Sequence, residues 1–308
     1  MHNTIKNIKF ISCKGCPREC GANRFEEKLG FCNTGNLPLV ASIFHHKGEE
    51  PIISGEKGIC NVFFAHCNLS CVYCQNFQIS RNDSFNKNWL QDYDEIVKRV
   101  TAILDNGVRH VGFVSPSHQV FQMIEIINRL NSIGYYPTIV YNTNCYEKPE
   151  IIRWIANYID VYLPDIKYFS NELAEEFSGI HDYFEVAIAA LKEMVWQKGT
   201  TISLGLDGLI DSGVIVRHLV LPNQWKDSML IVNKLEDIFS NNLCISLLSQ
   251  YYPTEVLGKN HCLKTFLRED EYQKVKDYLE KLGFYRAFTQ KMSSNKCYRP
   301  DFENNSPF

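Results

Sequence analysis

Apolar runs alternate with amphipathic stretches from residue 58 to about residue 282. The apolar runs predict six buried strands, at 60–65, 111–114, 138–141, 159–163, 214–221 and 243–248. Apolar residues at helical spacing predict helices between them, at 94–106, 118–133, 149–157, 171–198 with a break near Gly179, 226–239 and 270–282. Strands that alternate with helices form right-handed βαβ units around a parallel sheet. The pattern therefore predicts an α/β fold.

Two shorter stretches add to this pattern. Residues 40–55 are typical of a strand and turn leading into the first core strand. Residues 200–213 have strand-like halves about Asp207-Gly208, a dipeptide that favours a tight hairpin turn. We expect a hairpin inserted before the fifth strand.

Composition narrows the class of protein. The chain has 308 residues, of which 45% are hydrophobic and 22% charged, and a net charge of −3. These values are typical of a globular protein and give no reason to expect nucleic-acid binding. No apolar run has the length of a membrane span, and residues 1–6 lack the apolar core of a secretory signal. We therefore expect a cytoplasmic protein without a membrane partner.

The 12 cysteines change the picture. Cysteines in a reducing compartment are more often metal ligands than disulfide partners. Cys67, Cys71 and Cys74 lie within eight residues, directly after the predicted strand 60–65. A [4Fe–4S] cubane normally takes four cysteines, so three would leave one iron open to a small molecule. The alternatives are a zinc site and three unrelated core cysteines.

This spacing, C-x3-C-x2-C with Tyr73 before the last cysteine, resembles the signature of the radical S-adenosylmethionine (SAM) superfamily. The resemblance implies a [4Fe–4S] cluster on the three cysteines, with SAM bound at the open iron. It also implies reductive cleavage of SAM to a 5′-deoxyadenosyl radical that abstracts a hydrogen atom from substrate. The implied fold is a partial (β/α)6 TIM-like barrel. A cluster of this kind is destroyed by oxygen, so we expect anaerobic function.

Polar residues at the predicted strand ends are candidates for binding SAM, because ligands of parallel sheets lie at the carboxyl ends of the strands. Ser115, Asn142, Asp165 and Lys167 follow predicted strands; the other two candidates are Tyr73, in the cysteine loop, and Arg217, inside the fifth predicted strand. Three alternatives stay open. Ser117, two residues after Ser115, is suited to an N-cap. Asp165 and Lys167 are suited to a surface ion pair. Arg217 points either into the barrel or towards the helices.

A second group of cysteines precedes the barrel. Cys13, Cys16, Cys20 and Cys32 lie in a polar segment with too little apolar surface to fold by itself. A metal bound by four thiolates would stabilise such a segment, and both zinc and a second iron–sulfur cluster suit the spacing. The alternative is four free thiols packed on the barrel. His45 and His46 are treated as structural residues.

The domain prediction is a Cys-rich N-terminal extension with a candidate second metal site at 1–57, a barrel at 58–290 and a C-terminal tail at 291–308. Several motifs, among them Cys-Val-Tyr-Cys-Gln-Asn at 71–76, resemble uncharacterised radical SAM proteins similar to pyruvate formate-lyase activating enzymes. This resemblance implies a flavodoxin- or ferredoxin-like one-electron donor and a protein, peptide or small-molecule substrate. The competing class is a non-catalytic iron–sulfur or zinc protein that transfers electrons or binds partners.

Overall fold

A computed structural model describes residues 11–26, 29–259, 261–304 and 307–308. Residues 1–6, in which we looked for a secretory signal, lie outside these ranges. The described strands form one sheet in the order β1-β2-β3-β4-β5-β7-β8-β9, with β6 paired to β7. The strands are β1 Val40–His46, β2 Ile59–Phe64, β3 His110–Val114, β4 Thr138–Thr143, β5 Val161–Pro164, β6 Ser203–Leu204, β7 Ile210–Leu219, β8 Cys244–Leu248 and β9 Ala287–Thr289.

Strands β2 to β5 and β7 to β9 pair in parallel, whereas β1 is antiparallel to β2 and β6 to β7. Most of the described helices lie between parallel strands, whereas the first connects β1 to β2 and the last follows β9. The helices are α1 Pro51–Ser54, α2 Phe77–Ser80, α3 Tyr93–Leu104, α4 Val120–Ser132, α5 Pro149–Ile155, α6 Asn171–Ser178, α7 Tyr183–Lys198, α8 Trp225–Phe239, α9 Glu269–Lys281 and α10 Ser294–Cys297. The predicted α/β fold with a mostly parallel sheet of the partial-barrel type is confirmed.

The six predicted core strands correspond to β2, β3, β4, β5, β7 and β8, with ends that shift by a few residues. All residues of β2, β3 and β8 are buried, as expected for parallel strands with side chains covered on both faces. The predicted break near Gly179 separates α6 from α7. Gly179 has φ 64°, a left-handed conformation that ends α6 and that glycine adopts without a steric penalty.

Three details differ from the sequence prediction. The hairpin at Asp207-Gly208 is present, but its second arm is continuous with β7 instead of preceding it. Strand β9 was not predicted, because its three residues are half-exposed and show no apolar run. Ser117 does not cap an α-helix: it lies inside a 3-10 helix, Pro116–Gln119, and its hydroxyl donates to Glu147 Oε1 at 2.5 Å.

The C-terminal segment crosses from β9 back to the first strands of the sheet. The ring of Phe302 lies 5.3 Å from that of Phe63, edge to face, and the ring of Phe308 lies 4.6 Å from that of His46. The side chain of Gln78 bonds both Asp301 and the backbone of Phe302. These contacts hold the segment beside the open edge of the barrel.

A membrane crossing would need a long apolar helix, and the described ranges contain none of that length and character.

Buried histidines make the fold sensitive to acid. The ring of His218, on β7, bonds the carbonyl of Ile166 at 2.7 Å, and burial lowers its pKa to about 4. Burial also lowers the pKa of His110. Since a histidine in the unfolded chain has a pKa near about 6.5, the unfolded state binds more protons between pH 6.5 and 4. The stability that the neutral buried histidines contribute is therefore fully present above pH 6.5 and is lost as the pH falls towards 4.

We expect His218→Gln to reduce the difference in unfolding free energy between pH 7 and pH 5 by about 2 kcal/mol, since each pKa unit is worth about 1.4 kcal/mol. Anaerobic urea titrations followed by circular dichroism measure this difference. His181→Gln is the control, because the His181 side chain is 75% exposed. An unchanged pH dependence in His218→Gln would contradict a neutral buried ring.

Candidate active site

A cavity of about 670 Å³ opens where the parallel strands end. Cys67, Cys71 and Cys74 line one side of it, and residues from β7, β8 and the C-terminal segment line the other. Its volume is within the range of about 300–1,000 Å³ that small-molecule sites occupy. The parallel sheet thus brings the cysteine loop and the polar strand ends around a single space.

The loop that carries the three cysteines is held from outside. It begins at His66, in a left-handed conformation with φ 67°, whose ring bonds the carbonyl of Ser84 at 2.7 Å. The amide of Asn82 bonds both the N–H and the carbonyl of Cys67, at 3.0 and 2.9 Å. The N–H of Val72 donates to the carbonyl of Phe177 at 2.8 Å. The loop backbone is therefore fixed by partners distant in sequence.

Each thiol of the loop has a polar neighbour within hydrogen-bond distance. Ser178 Oγ lies 3.0 Å from Cys71 Sγ, Ser80 Oγ 3.2 Å from Cys74 Sγ and Asn144 Nδ2 3.4 Å from Cys67 Sγ. Donors that point at sulfur stabilise thiolates and orient metal ligands. Of these three residues, only Asn144 lies close to a predicted strand end, three residues after the predicted strand 138–141; nothing in the pattern around Ser80 and Ser178 indicated such a position.

The arrangement of the sulfurs bears on the choice of metal. Burial raises the pKa of the Cys67 thiol to about 12, and burial together with Cys71 raises that of Cys74, so thiolates here require a metal. A tetrahedral zinc ion bound at about 2.3 Å brings its sulfurs to about 3.8 Å from one another. Within the described ranges, no three cysteine sulfurs lie within 4.8 Å of one another. These thiols are therefore not gathered as the ligands of a single zinc ion are.

Tyr73 is buried beneath the loop, although it also contributes to the cavity wall. Its hydroxyl accepts from that of Tyr168 at 2.8 Å, and the Tyr168 hydroxyl lies 2.7 Å from Ser178 Oγ. The rings of Tyr168 and Phe177 meet that of Tyr73 edge to face. This chain of hydroxyl groups connects Tyr73 to the Cys71 thiol through Ser178.

Asp165 and Lys167 follow β5 and form an ion pair of 2.7 Å in the cavity wall, with side chains that are 31% and 17% exposed. Burial alone would lower the pKa of Lys167, but Asp165, Tyr73 and Cys71 together raise it well above its usual value. Its ammonium is therefore charged. The ion pair lies in the wall of the cavity and not on the outer surface of the barrel.

Ser115 and Asn142 lie at the ends of the neighbouring strands β3 and β4 and also line the cavity. Ser115 has φ 54°, and its N–H donates to the carbonyl of Asn142 at 2.9 Å. The left-handed turn at Ser115 ends β3 and starts the 3-10 helix. With Asp165, Lys167 and Arg217, all five polar candidates of the strand region therefore line one cavity.

Arg217, the fifth of these candidates, points into the barrel but is already paired. Its Nε and Nη2 bond Glu50 at 2.8 and 2.7 Å, and Nη2 also bonds Glu49. Asn61 Nδ2 donates to Glu49 at 2.8 Å. Burial alone would raise the pKa of Glu49, but Arg217 lowers it below its usual value. The sequence analysis gave no role to these two glutamates, whose position next to β7 depends on tertiary structure.

The N-terminal cysteines also come together. Cys13, Cys16 and Cys32 are buried and Cys20 is exposed. Hydrogen bonds from Cys13 N to Ala22 O, 2.9 Å, and from Gly21 N to Cys13 O, 3.0 Å, close the loop. Burial, with smaller contributions from the neighbouring Cys32 and Cys13, raises the pKa of Cys16 to about 12. Cys13 and Cys32 both lie near Arg24, and Cys16 is close enough to both of them to interact electrostatically.

The fold and the cavity define an enzyme of the radical SAM class. The family model of the radical SAM superfamily matches residues 61–216, which are just over half of the chain. The chain therefore belongs to the radical SAM superfamily and is a radical SAM enzyme.

Among its relatives is the uncharacterized protein MJ0674 of Methanocaldococcus jannaschii. The two are 28% identical over 283 residues, which are 90% of this chain and 76% of that protein.

Two solved structures show the same fold at 13% identity. HydG, a maturase of the [FeFe]-hydrogenase, superposes with a TM-score of 0.52 over 78% of this chain and 53% of HydG. Native anSMEcpe with bound AdoMet superposes with a TM-score of 0.50 over 73% of this chain and 61% of that chain. This chain thus spans between half and two thirds of their length, and the likeness is one of fold.

Removing the guanidinium of Arg217 would leave two buried carboxylates without a counter-charge. We expect Arg217→Met to lower the unfolding free energy by about 3–5 kcal/mol, the cost of breaking a buried ion pair from one side. The triple variant Arg217→Met, Glu49→Gln, Glu50→Gln is the matched control and is expected to recover most of this loss. Anaerobic denaturant titrations measure both. A loss below about 1 kcal/mol in the single variant would contradict the buried pairing.

Proposed function

We propose that Cys67, Cys71 and Cys74 bind a [4Fe–4S] cluster and leave its fourth iron to SAM. The observation that supports this proposal is that three thiols of one loop line a cavity with polar walls, and that each thiol has a hydrogen-bond neighbour. When bound, the reduced cluster and SAM supply a 5′-deoxyadenosyl radical that abstracts a hydrogen atom from a substrate.

The residues at the strand ends have separate tasks in this proposal. Lys167, charged and held by Asp165 at 2.7 Å, bonds the SAM carboxylate. Asp165 keeps a second carboxylate oxygen for a hydroxyl or an ammonium group. Ser115 and Asn142 offer backbone and amide groups, and Tyr73 fixes the floor of the loop. Together these groups orient SAM and exclude water from the site, which is the protein's part in cofactor chemistry.

Arg217 contributes to the opposite wall. Its Nη1 forms no hydrogen bond within the part of the chain that the structure describes, while Nε and Nη2 are held by the two glutamates. Two carboxylates outnumber one guanidinium, so this wall favours a neutral carbonyl or a cationic group over an anion. Arg217 would thus donate to a ribose hydroxyl of SAM or to a carbonyl of the substrate.

For the finer function, we propose an activating-enzyme-like oxidoreductase of the pyruvate formate-lyase activating branch. Three motifs support this branch: Cys-Val-Tyr-Cys-Gln-Asn at 71–76, Tyr-Leu-Pro-Asp-Ile-Lys at 162–167 and Val-Arg-His-Leu-Val-Leu-Pro at 216–222. Asn142 stands where that group has an acidic residue. The substrate is a peptide, a loop of a protein or a small molecule. Tyr298, Pro300 and Phe308 of the C-terminal segment line the cavity, so a peptide would share it with them.

The reductant in this proposal is a flavodoxin- or ferredoxin-like protein, and the enzyme works anaerobically in the cytoplasm. The N-terminal extension at 1–57 holds a second metal centre on Cys13, Cys16, Cys20 and Cys32, either iron–sulfur or zinc. The barrel at 58–290 carries the reaction, and the tail at 291–308 covers one edge of the cavity.

Loss of any one of the three loop cysteines should abolish the reaction. We expect anaerobically reconstituted enzyme to form 5′-deoxyadenosine from SAM and dithionite, and the Cys67→Ala, Cys71→Ala and Cys74→Ala variants to form at least about 100-fold less, because a cluster with two protein ligands is not retained. Cys262→Ala is the control, since Cys262 is exposed and does not line the cavity. An intact enzyme that carries iron and forms no 5′-deoxyadenosine would favour the electron-transfer alternative.

The second centre can be separated from the first. We expect Cys16→Ala to lower the iron content while the reduced protein keeps an EPR signal that changes when SAM is added. Iron analysis and EPR on the same sample measure the two effects. Cys297→Ala, an exposed cysteine in the C-terminal segment, is the control. Zinc in place of iron would show that the second centre is structural. An unchanged metal content in Cys16→Ala would contradict a second centre at these cysteines.

A further inference from the structure

A buried guanidinium lies among the N-terminal cysteines. Arg24 is 4% exposed. Its Nε lies 3.3 Å from Cys13 Sγ and its Nη2 3.9 Å from Cys32 Sγ, while Nη1 donates to the carbonyl of His118 at 2.6 Å. The carbonyl fixes one end of the guanidinium and turns its other N–H groups towards sulfur.

The pocket is shaped around these sulfurs. A Cβ added at Gly30 would lie 2.4 Å from Cys20 Sγ, so the chain passes this thiol at a distance that only glycine permits. Gly21, with φ 64°, turns the chain back after Cys20. Two glycines thus let residues 20 and 30 approach each other. Such a close approach is expected where thiols converge on a bound group and other side chains must leave room for it.

The position of the charge suits a cluster of sulfur ligands. Moving a guanidinium out of water is costly unless negative groups offset its charge. Four thiolates on a [4Fe–4S] core give a net charge of −2 in the oxidised state and −3 after one-electron reduction. Arg24 would offset part of that negative charge, and its N–H groups would form charge-assisted hydrogen bonds to the thiolates.

The spread of the sulfurs separates the two metals that the spacing allows. Zinc would draw its four sulfurs to about 3.8 Å from one another. Among the described residues, no three of these thiols lie as close together as 4.8 Å. These thiols are therefore not gathered as the ligands of one zinc ion are, whereas the ligands of a cubane bind different irons and stay further apart.

We propose that Cys13, Cys16, Cys20 and Cys32 bind a redox-active [4Fe–4S] cluster and that Arg24 is the positioning residue that raises its reduction potential. This extends the second metal centre of the proposed function and is independent of SAM chemistry. The step is a one-electron reduction in which dithionite is oxidised, and no bond to carbon or hydrogen forms or breaks. A positive charge and N–H donors at the sulfurs stabilise the reduced, more negative state, so they make reduction easier.

The test isolates this cluster by using full-length protein in which Cys67, Cys71 and Cys74 are all changed to alanine. Anaerobic reconstitution of that protein should give about four irons per chain and a dithionite-dependent EPR signal that SAM does not alter. Adding Arg24→Gln removes the charge but keeps an amide of similar reach. We expect the equilibrium constant for reduction to fall at least about tenfold, a shift of about 59 mV to more negative potential for one electron.

Two further variants make the result specific. Arg24→Lys keeps the charge and should give a potential between those of the Arg24 and Arg24→Gln proteins. Arg18→Gln is the matched control, because Arg18 lies in the same loop but its Nε donates to the carbonyl of Asn68 at 3.0 Å instead of to sulfur. Its potential should stay within about 15 mV of the parent, less than a twofold change in the equilibrium constant.

Three outcomes would overturn the proposal. Zinc in the isolated pocket would exclude a redox cluster, and equal potentials for Arg24 and Arg24→Gln would exclude tuning. Loss of iron from both Arg24 variants would make Arg24 a folding residue only. If instead the Arg24 effect is present while wild-type enzyme forms no 5′-deoxyadenosine, the proposal stands and the proposed reaction fails.

Discussion

The whole site depends on one constraint, which is that a short irregular loop must hold three sulfurs in fixed positions at the rim of a parallel sheet. A loop of this kind has few backbone hydrogen bonds of its own, so other elements supply them. Asn82 bonds both backbone groups of Cys67, and Phe177 accepts from Val72. Inside the loop, Asn68 is buried and its Nδ2 donates to the carbonyl of Tyr146 at 2.9 Å. The strand before the loop fixes where it starts, and these side chains fix its shape.

The N-terminal segment takes part in the same network. Arg18 donates to the carbonyl of Asn68, the residue after the first loop cysteine, and its guanidinium lies 3.8 Å above the ring of Phe31. Arg24 donates to the carbonyl of His118 in the 3-10 helix that follows β3. The cysteine-rich extension is therefore attached to the two stretches that shape the cavity. Any centre in that extension would be mechanically coupled to the loop at Cys67.

The sequence was sufficient for most of the fold because apolar runs and helical spacing reflect burial directly. It placed six core strands and the break at Gly179, and it put Asp165 and Lys167 after one strand and Arg217 inside another, where all three line the cavity. It could not place contacts that depend on side chains from distant segments. Glu49 and Glu50 reach Arg217 across about 167 residues of chain, and Ser178 reaches Cys71 across about 107. Spacing along the chain carries no signal for such pairs, and short β9 had too few residues for a pattern.

Charge in the cavity explains why so many of its ionisable groups come in pairs. In a space of low dielectric constant, an isolated charge is costly, and each one needs a partner or a hydrogen-bond donor. Lys167 has Asp165, and Arg217 has two glutamates. The thiols of the loop have neutral donors instead, Ser80, Ser178 and Asn144, which can stabilise thiolates without cancelling their charge. Lys167 lines the same cavity as the sulfurs. Because Asp165 balances its charge, Lys167 does not repel a positive metal centre. A site built in this way balances its own ion pairs and leaves the three thiols available to a metal, since on losing their protons they would bind the cationic core of a cluster.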